Sequence, residues 1–327
     1  MRTPVTLSCR RLASLVATCL LSACSRQRQE ASSNSDSAAA AAIIAPAPGA
    51  TPVPAPTLGF SRPGSVRYDA DLDVFFVANI NGNPSDKDNN GFISRIDATH
   101  PGTAVTFIQA GQNGVTLHAP KGILIIGDTL WVTDIDVVRG FHKRTGAPVA
   151  TINLARLKAT FLNDIAADPD GTLYITDTGI SYDAQGTVTQ AHVGRIFSVK
   201  GREASVVMED DHLARPNGIA WDNANRRFIL APSASNGIQS WRVGQSRVAQ
   251  IAIGAGGFDG IEALPDGRFL ITSWTDRSLG VGSDGSGIVR IAGGIDTPGD
   301  IGIDPTRGWI AVPRLDANRV DWFALPK

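Results

Sequence analysis

The sequence predicts an all-β chain built as a six-bladed β-propeller over residues 58–327, and three observations carry that prediction. Short runs rich in Val, Ile, Leu, Phe and Trp alternate with turns rich in Gly, Asp and Asn, the composition of many short strands joined tightly. One signature recurs six times: "PGSVRYDADLDVFFVAN", "PKGILIIGDTLWVTD", "LNDIAADPDGTLYITD", "PNGIAWDNANRRFILAP", "FDGIEALPDGRFLITS" and "PGDIGIDPTRGWIAVP". The copies start about 40 to 57 residues apart with about four strands to a unit, the period of a propeller blade. A sandwich or barrel also supplies many short strands, but not six copies of one signature.

The amino end precedes this pattern and differs from it. Arg2, Arg10 and Arg11 stand before "LASLVATCLLSAC", an apolar run too short to span a bilayer and closed by small residues. Residues 1–23 therefore read as an export signal. The "LSAC" ending at Cys24 resembles a lipobox, which implies cleavage before Cys24 and acylation of its thiol. Each buried methylene contributes ~0.8 kcal/mol, so two or three acyl chains would anchor the protein on a membrane stably. Ser25 after the cysteine points to a bacterial cell envelope, the outer membrane facing the periplasm. Cys9, Cys19 and Cys24 are the only cysteines. The mature chain would then hold no disulfide and no thiolate metal site. Residues 24–57, rich in Ser, Ala and Pro and without apolar period, read as a disordered tether.

In the propeller region, 43% apolar content over 327 residues provides for a large core, and a formal charge of -1 gives no electrostatic case for nucleic acid. The innermost strand of each blade runs along the central channel, so equivalent positions in the six copies form a ring at one mouth. Alignment on Val66, Ile123, Ile165, Ile219, Ile261 and Ile301 puts Gly64, Lys121, Asn163, Asn217, Asp259 and Gly299 in that ring. Loops between the second and third strands open at the same mouth. Those of the first, third and fifth blades read as long, and long loops gathered on one face carry binding function.

The first of these loops contains "DKDNNGFISRID", residues 86–97, with oxygen side chains and a glycine at the spacing of an EF-hand loop. Its flanks are short, apolar and β-branched rather than helical, so an Asx-rich hairpin is the simpler reading. A rim calcium held by Asp86, Asp88, Asn90 and the Phe92 carbonyl is the other, with Asp97 turned away in the strand. Among the remaining candidates, His118 is close to the ring and reads as a loop histidine. His100, His142, His192 and His212 show no metal spacing. Asp134 and Asp177, at strand ends in "WVTD" and "YITD", read as acceptors for loop backbone. Trp131, Trp221, Trp274, Trp309 and Trp322 recur at blade positions and read as core.

Taken in order, one per blade, "LNDIAADPDG", "RPNGIAWD" and "FDGIEALPDG" resemble the channel motifs of the senescence marker protein / gluconolactonase / luciferin-regenerating enzyme family, a group of six-bladed propellers. "PGSVRYD" matches more loosely. The resemblance implies a divalent metal, often calcium, in the channel, with Asn217 and Asp259 as ligands and Asn163 as a ligand or substrate contact. It also implies a hydrolase in which the ion polarises a lactone carbonyl and Asp259 accepts a proton from water. Two departures stand in the same ring. Gly64 replaces the family's front glutamate, and Lys121 adds a positive charge that opposes a cation and could serve an anion. A charge at ~4 Å changes the energy by ~4 kcal/mol at an effective dielectric of 20. Phe161 stands where the family has a substrate-binding arginine. A carboxylate such as Asp164, Asp136 or Asp300 would have to lean in to restore the lost charge.

Two functions follow. One is an envelope lipoprotein that hydrolyses a small lactone or ester, with Asp259, Asn163 and Lys121 as catalytic residues and a divalent ion on Asn163, Asn217 and Asp259. The other is a non-catalytic propeller, similar to the NHL-repeat group, whose long-loop face grips a protein or glycan.

Overall fold

A computed structural model describes residues 53–327. The export signal, Cys24 and nearly all of the tether lie outside the described residues. The described chain is almost entirely β, with two single-turn 3-10 helices, Ala155–Leu157 and Asp211–Leu213, and no α-helix. Six antiparallel four-stranded sheets follow one another, each an up-and-down meander. Their innermost strands are Pro63–Asp69, Pro120–Ile126, Leu162–Ala167, Pro216–Asp222, Phe258–Ala263 and Gly302–Asp304. The first five inner strands touch in chain order, the sixth touches the first, and Gly260 of the fifth lies against Asp300 just ahead of the sixth, so the six blades close a ring.

Closure uses both ends of the propeller. Thr57–Leu58 pairs with Arg319–Ala324 as the outer strand of the sixth blade. Its first residue falls inside the stretch that reads as tether. Trp322 Nε1 donates to Thr57 Oγ1 at 3.1 Å. Such pairing removes an open sheet edge that would otherwise be exposed.

Between neighbouring blades lie six apolar clusters, one to each interface. Phe76, Ile93, Ile123 and Phe141 fill the one between the first and second blades, for example, and Phe228, Ile219, Tyr174 and Trp241 the one between the third and fourth. Period-two alternation puts one face of each sheet against each neighbour, so both faces are buried and the blades stack as layers. Trp309 and Trp322 belong to this core as expected, while Trp274 does not; it is 40% exposed and faces the channel mouth.

The fifth blade departs from the sequence reading. Its long loop is interrupted by a strand, Ser278–Gly282, leaving only a short turn at the mouth. Gly280 and Gly282 are there because a Cβ would stand 2.4 and 2.6 Å from atoms of Ile288. A glycine-rich strand of this kind carries no β-propensity signal.

Candidate functional site

The six axial positions are set by a local device. In five inner strands the pairing register breaks at the ring position, between Pro63 and Ser65, Pro120 and Ile123, Leu162 and Ile165, Pro216 and Gly218, and Phe258 and Ile261. A bulge turns one side chain out of the alternation and toward the axis. Residues just after the ring pack tightly: a Cβ on Gly122 or Gly260 would lie 2.6 or 2.5 Å from the Cα of Asp164 or Asp300.

Threonines tie neighbouring bulges together. Thr133 Oγ1 accepts from Gly122 N–H at 2.9 Å and donates to the Asn163 carbonyl of the next blade at 2.7 Å. Thr176 does the same between Asp164 and the Asn217 carbonyl, at 3.0 and 2.6 Å. Thr272 links Gly260 to the Gly299 carbonyl at 2.8 and 3.0 Å. The next residue along fixes the turn ahead of the ring. Asp134 accepts the N–H groups of His118 and Ala119 and pairs with Arg139, while Asp177 accepts those of Thr160, Phe161 and Gly179. Both carboxylates are therefore scaffold, as their strand-end position suggests.

Gly64, Lys121, Asn163, Asn217 and Asp259 all line one axial cavity of about 280 Å³. Gly299 approaches the Gly64 carbonyl from behind, and its place on the wall is taken by Asp300. The place where a side chain at Gly64 would project is filled by Ile80, whose Cδ1 lies 3.3 Å from a Cβ built there. No carboxylate replaces the missing one at that point.

Asp259 opens onto the cavity from a buried setting. Burial and the nearby Asp300 charge push its carboxyl up to about 8, with Asn217 and Trp274 beside it pulling the other way, while the Trp274 N–H itself donates to the Pro298 carbonyl at 2.8 Å. Asn163 spends its amide nitrogen on Thr178 Oγ1 at 3.2 Å, which leaves its oxygen to the cavity. Lys121 is 4% exposed. Its ammonium donates to the carbonyls of Pro84 and Ala119 at 3.0 and 3.2 Å and sits 4.2 Å from the centre of the Phe161 ring. Burial lowers it to about 8, against the attraction of Asp134, Asp177 and Asp136. Phe161 thus serves as a platform for a cation.

Asp164 and Asp300 form the floor. Burial raises both, Asp164 further by the charge of Asp300. Asp164 accepts from Ile165 and Ile219 N–H at 2.7 and 2.8 Å, which joins the third blade to the fourth. Asp300 accepts from Ser65 Oγ at 2.8 Å and lies 3.5 Å from Arg67, which also pairs with Glu262. Asp136 does not lean in, since it pairs with Lys87 at 2.5 Å.

The roof comes from two long loops. A hairpin in the third blade, Ile180–Tyr182 with Val188–Gln190, reaches over the mouth and contributes Tyr182 to the lining. It meets the first blade's loop, where Asn83 donates to the Asp183 carbonyl at 2.7 Å and Tyr182 N–H to Ser85 Oγ at 2.9 Å. Burial raises the Tyr182 phenol, and Arg62, Asp259 and Arg215 all lie within its electrostatic reach.

The EF-hand-like stretch occupies the rim of this roof. Asn90 Nδ2 donates to Asp88 at 2.5 Å, and Asp86 forms no hydrogen bond with either. Asn89 holds the loop to the second blade, its N–H on His118 Nδ1 at 3.0 Å and its oxygen accepting from Leu117 N–H at 2.9 Å. His118 is therefore engaged by the loop. Asp97 ends the strand Phe92–Asp97, at the far side from the mouth.

Sequence reasoning missed Trp274, Tyr182, Arg62 and Arg215 as cavity residues. For the arginines a signal existed, because "RPG" and "RPN" place each two residues before a ring position. Tyr182 lies in an insertion without a repeat partner, and Trp274 follows the strand Phe269–Ser273 rather than belonging to it.

Fold and site define a class: six-bladed propellers with an axial cavity of small-molecule size, in which a few polar ring side chains meet an otherwise apolar wall under a roof of long loops. The family model described as SMP-30/Gluconolactonase/LRE-like region matches residues 89–292, more than half of the chain and all four polar ring positions. The chain belongs to this family. Among solved structures it is similar to luciferin-regenerating enzyme, at 13% identity and a TM-score of 0.60, covering 84% of this chain and 99% of that one. No curated protein matches it.

Proposed function

We propose that the axial cavity hydrolyses a small lactone or related ester, with Asp259 as the acid–base group. The observation that carries this reading is the meeting of Asn163, Asn217, Asp259 and Lys121 in one roofed cavity, where Asp259 and Lys121 are both brought to about 8. Perturbed titratable groups that converge in a cleft mark functional sites. The gluconolactonase in the family's name agrees with it. The loops that a macromolecular partner would grip bind each other over the mouth, which favours a small ligand.

A carboxyl of pKa about 8 holds both of its forms near neutral pH. Ionised Asp259 takes a proton from the water that attacks the carbonyl, and the carboxylic acid so formed returns that proton to the leaving oxygen as the bond from the carbonyl carbon to that oxygen breaks. Asn217 orients it, and the free Asn163 oxygen accepts from water or a substrate hydroxyl. Lys121 supplies a fixed positive charge on one wall.

Among the described residues no three histidine, cysteine or carboxylate side chains gather as a metal cluster. The axial donors still suit a hard cation, because the amide oxygens of Asn163 and Asn217 accompany the Asp259 carboxylate. Those three residues would hold a calcium ion, which when bound would supply Lewis-acid polarisation of a carbonyl. A separate rim calcium on Asp86, Asp88 and Asn90 is removed if Asp86→Ala/Asp88→Ala leaves the calcium titration unchanged. Export and acylation at Cys24 would place the cavity at a membrane surface, and Cys24→Ser should abolish incorporation of a labelled fatty acid.

A panel of sugar and aliphatic lactones, assayed on protein lacking residues 1–52 with calcium or chelator, tests the proposal. Asp259→Asn should lower kcat/KM by about 10²-fold or more. Absence of turnover on the whole panel, with capture of an envelope protein or glycan instead, would replace the hydrolase by a binding propeller.

A further inference from the structure

Two arginines flank the cavity mouth from opposite sides. Arg62 and Arg215 stand two residues before the axial positions of the first and fourth blades, in "RPGS" and "RPNG". The blades follow one another in chain order around a closed ring, so these two face one another across the axis. Both side chains line the cavity. Both residues also have left-handed backbone immediately before a proline, with φ of 49° at Arg62 and 58° at Arg215. A side chain disfavours that conformation, and a following proline disfavours it further. In the fifth blade the equivalent residue, φ 58°, is Gly257, the choice that backbone energetics alone would make. The sixth blade repeats this backbone at Thr297, φ 44° before Pro298, which does not line the cavity, so the turn belongs to the blade; what sets Arg62 and Arg215 apart is that their side chains reach the cleft.

The guanidinium donors are only partly spent. Arg215 gives Nε to Gln190 at 2.9 Å, and its terminal nitrogens have no partner among the described residues. Arg62 gives Nη1 to the Gly82 carbonyl at 3.3 Å, lies 3.9 Å from an exposed Asp316, and keeps a buried Nε without an acceptor. The floor acids are taken, Asp300 by Ser65 and Arg67 and Asp164 by two backbone N–H groups. The cavity is thus basic at the mouth, with Lys121 adding to it, and acidic but satisfied at depth.

We propose that the ligand of this cavity carries a free carboxylate, held between Arg62 and Arg215, with its uncharged end toward Asp259. The inference rests on the small-molecule reading above and names the class: a carboxylate-bearing lactone or ester rather than a neutral one. Planar guanidinium forks match a carboxylate with paired hydrogen bonds, which a neutral ring does not offer.

Isothermal titration with glutarate, gluconate and benzoate, each set against glutaramide, glucitol and benzamide, tests this on the purified protein and on Arg62→Gly/Arg215→Gly. Glycine relieves the left-handed backbone, so the double variant should melt no lower than wild type. At least one carboxylate should bind wild type tenfold or more tightly than its neutral counterpart, less so in high salt. That preference should vanish in the glycine variant and equally in Arg62→Gln/Arg215→Gln. No preference in wild type, or a preference that survives both variants, overturns the proposal. Carboxylate capture without turnover of any lactone would sink the hydrolase and leave this inference standing. Turnover of neutral lactones, unchanged in the variants and without carboxylate capture, would do the reverse.

Discussion

Asp259 and Lys121 show how one environment acts on opposite charges. Desolvation disfavours the charged form of each, so the acid moves up and the base moves down until both stand at about 8. The consequence for stability has two signs. Unfolded Asp259 releases its proton near pH ~4 while the folded carboxyl keeps it to about 8, so between those values the folded state binds more protons and stability falls as pH rises. Folded Lys121 loses its proton at about 8 and the unfolded lysine near pH ~10.5, so across that upper window stability rises again. Denaturant midpoints at pH 5, 8 and 10 should show a dip near 8. Asp259→Asn should make the lower arm shallower, the raised Asp164 and Asp300 supplying the remainder, and Lys121→Met should flatten the upper one; slopes unchanged from wild type in both variants would refute the assignment. These two residues were legible because each is the axial member of a repeated signature. Arg62, Arg215 and Tyr182 were not singled out, since their placement depends on a left-handed turn and an inserted hairpin that no period announces.

At the scale of the blade, the second strand does more than pack. Its terminal pair, Thr133 with Asp134 and Thr176 with Asp177, satisfies the bulge and the turn that together aim the axial residue. Removing Asp134 leaves two buried N–H groups and Arg139 without their acceptor. Asp134→Ala should therefore lose about 3 kcal/mol in chemical denaturation, with Lys121 mispositioned as well. Thr176→Val keeps the shape and removes the link to the fourth blade, and should cost ~1 kcal/mol by the same measurement. A loss below the error of the method at Asp134 would mean that water replaces the carboxylate. Strand number and order could be read from the six copies, because Val, Ile and Phe alternate against Gly and Asp turns. The strand Ser278–Gly282 could not, because its glycines answer to the bulk of Ile288 and not to any propensity of their own.

For the whole molecule, ring closure joins the two ends of the described chain. A protein starting at residue 53 should match longer forms in thermal unfolding, whereas one starting at residue 59 loses the strand Thr57–Leu58 and the bond from Trp322. That loss should amount to about 1–3 kcal/mol, together with a new tendency to associate through the exposed edge. Equal melting of the two forms would show that closure relies on the blade interfaces alone. The ring, once closed, brings residues nearly one hundred positions apart to one cavity, as Asn163 and Asp259 show. Whether that cavity performs acid–base chemistry is tested most directly by the pH dependence of kcat/KM on a lactone that the protein turns over. Wild type should show a limb with an apparent pKa near 8 that is retained in Lys121→Met and absent in Asp259→Asn. A limb unchanged by Asp259→Asn would contradict the role given to this carboxyl.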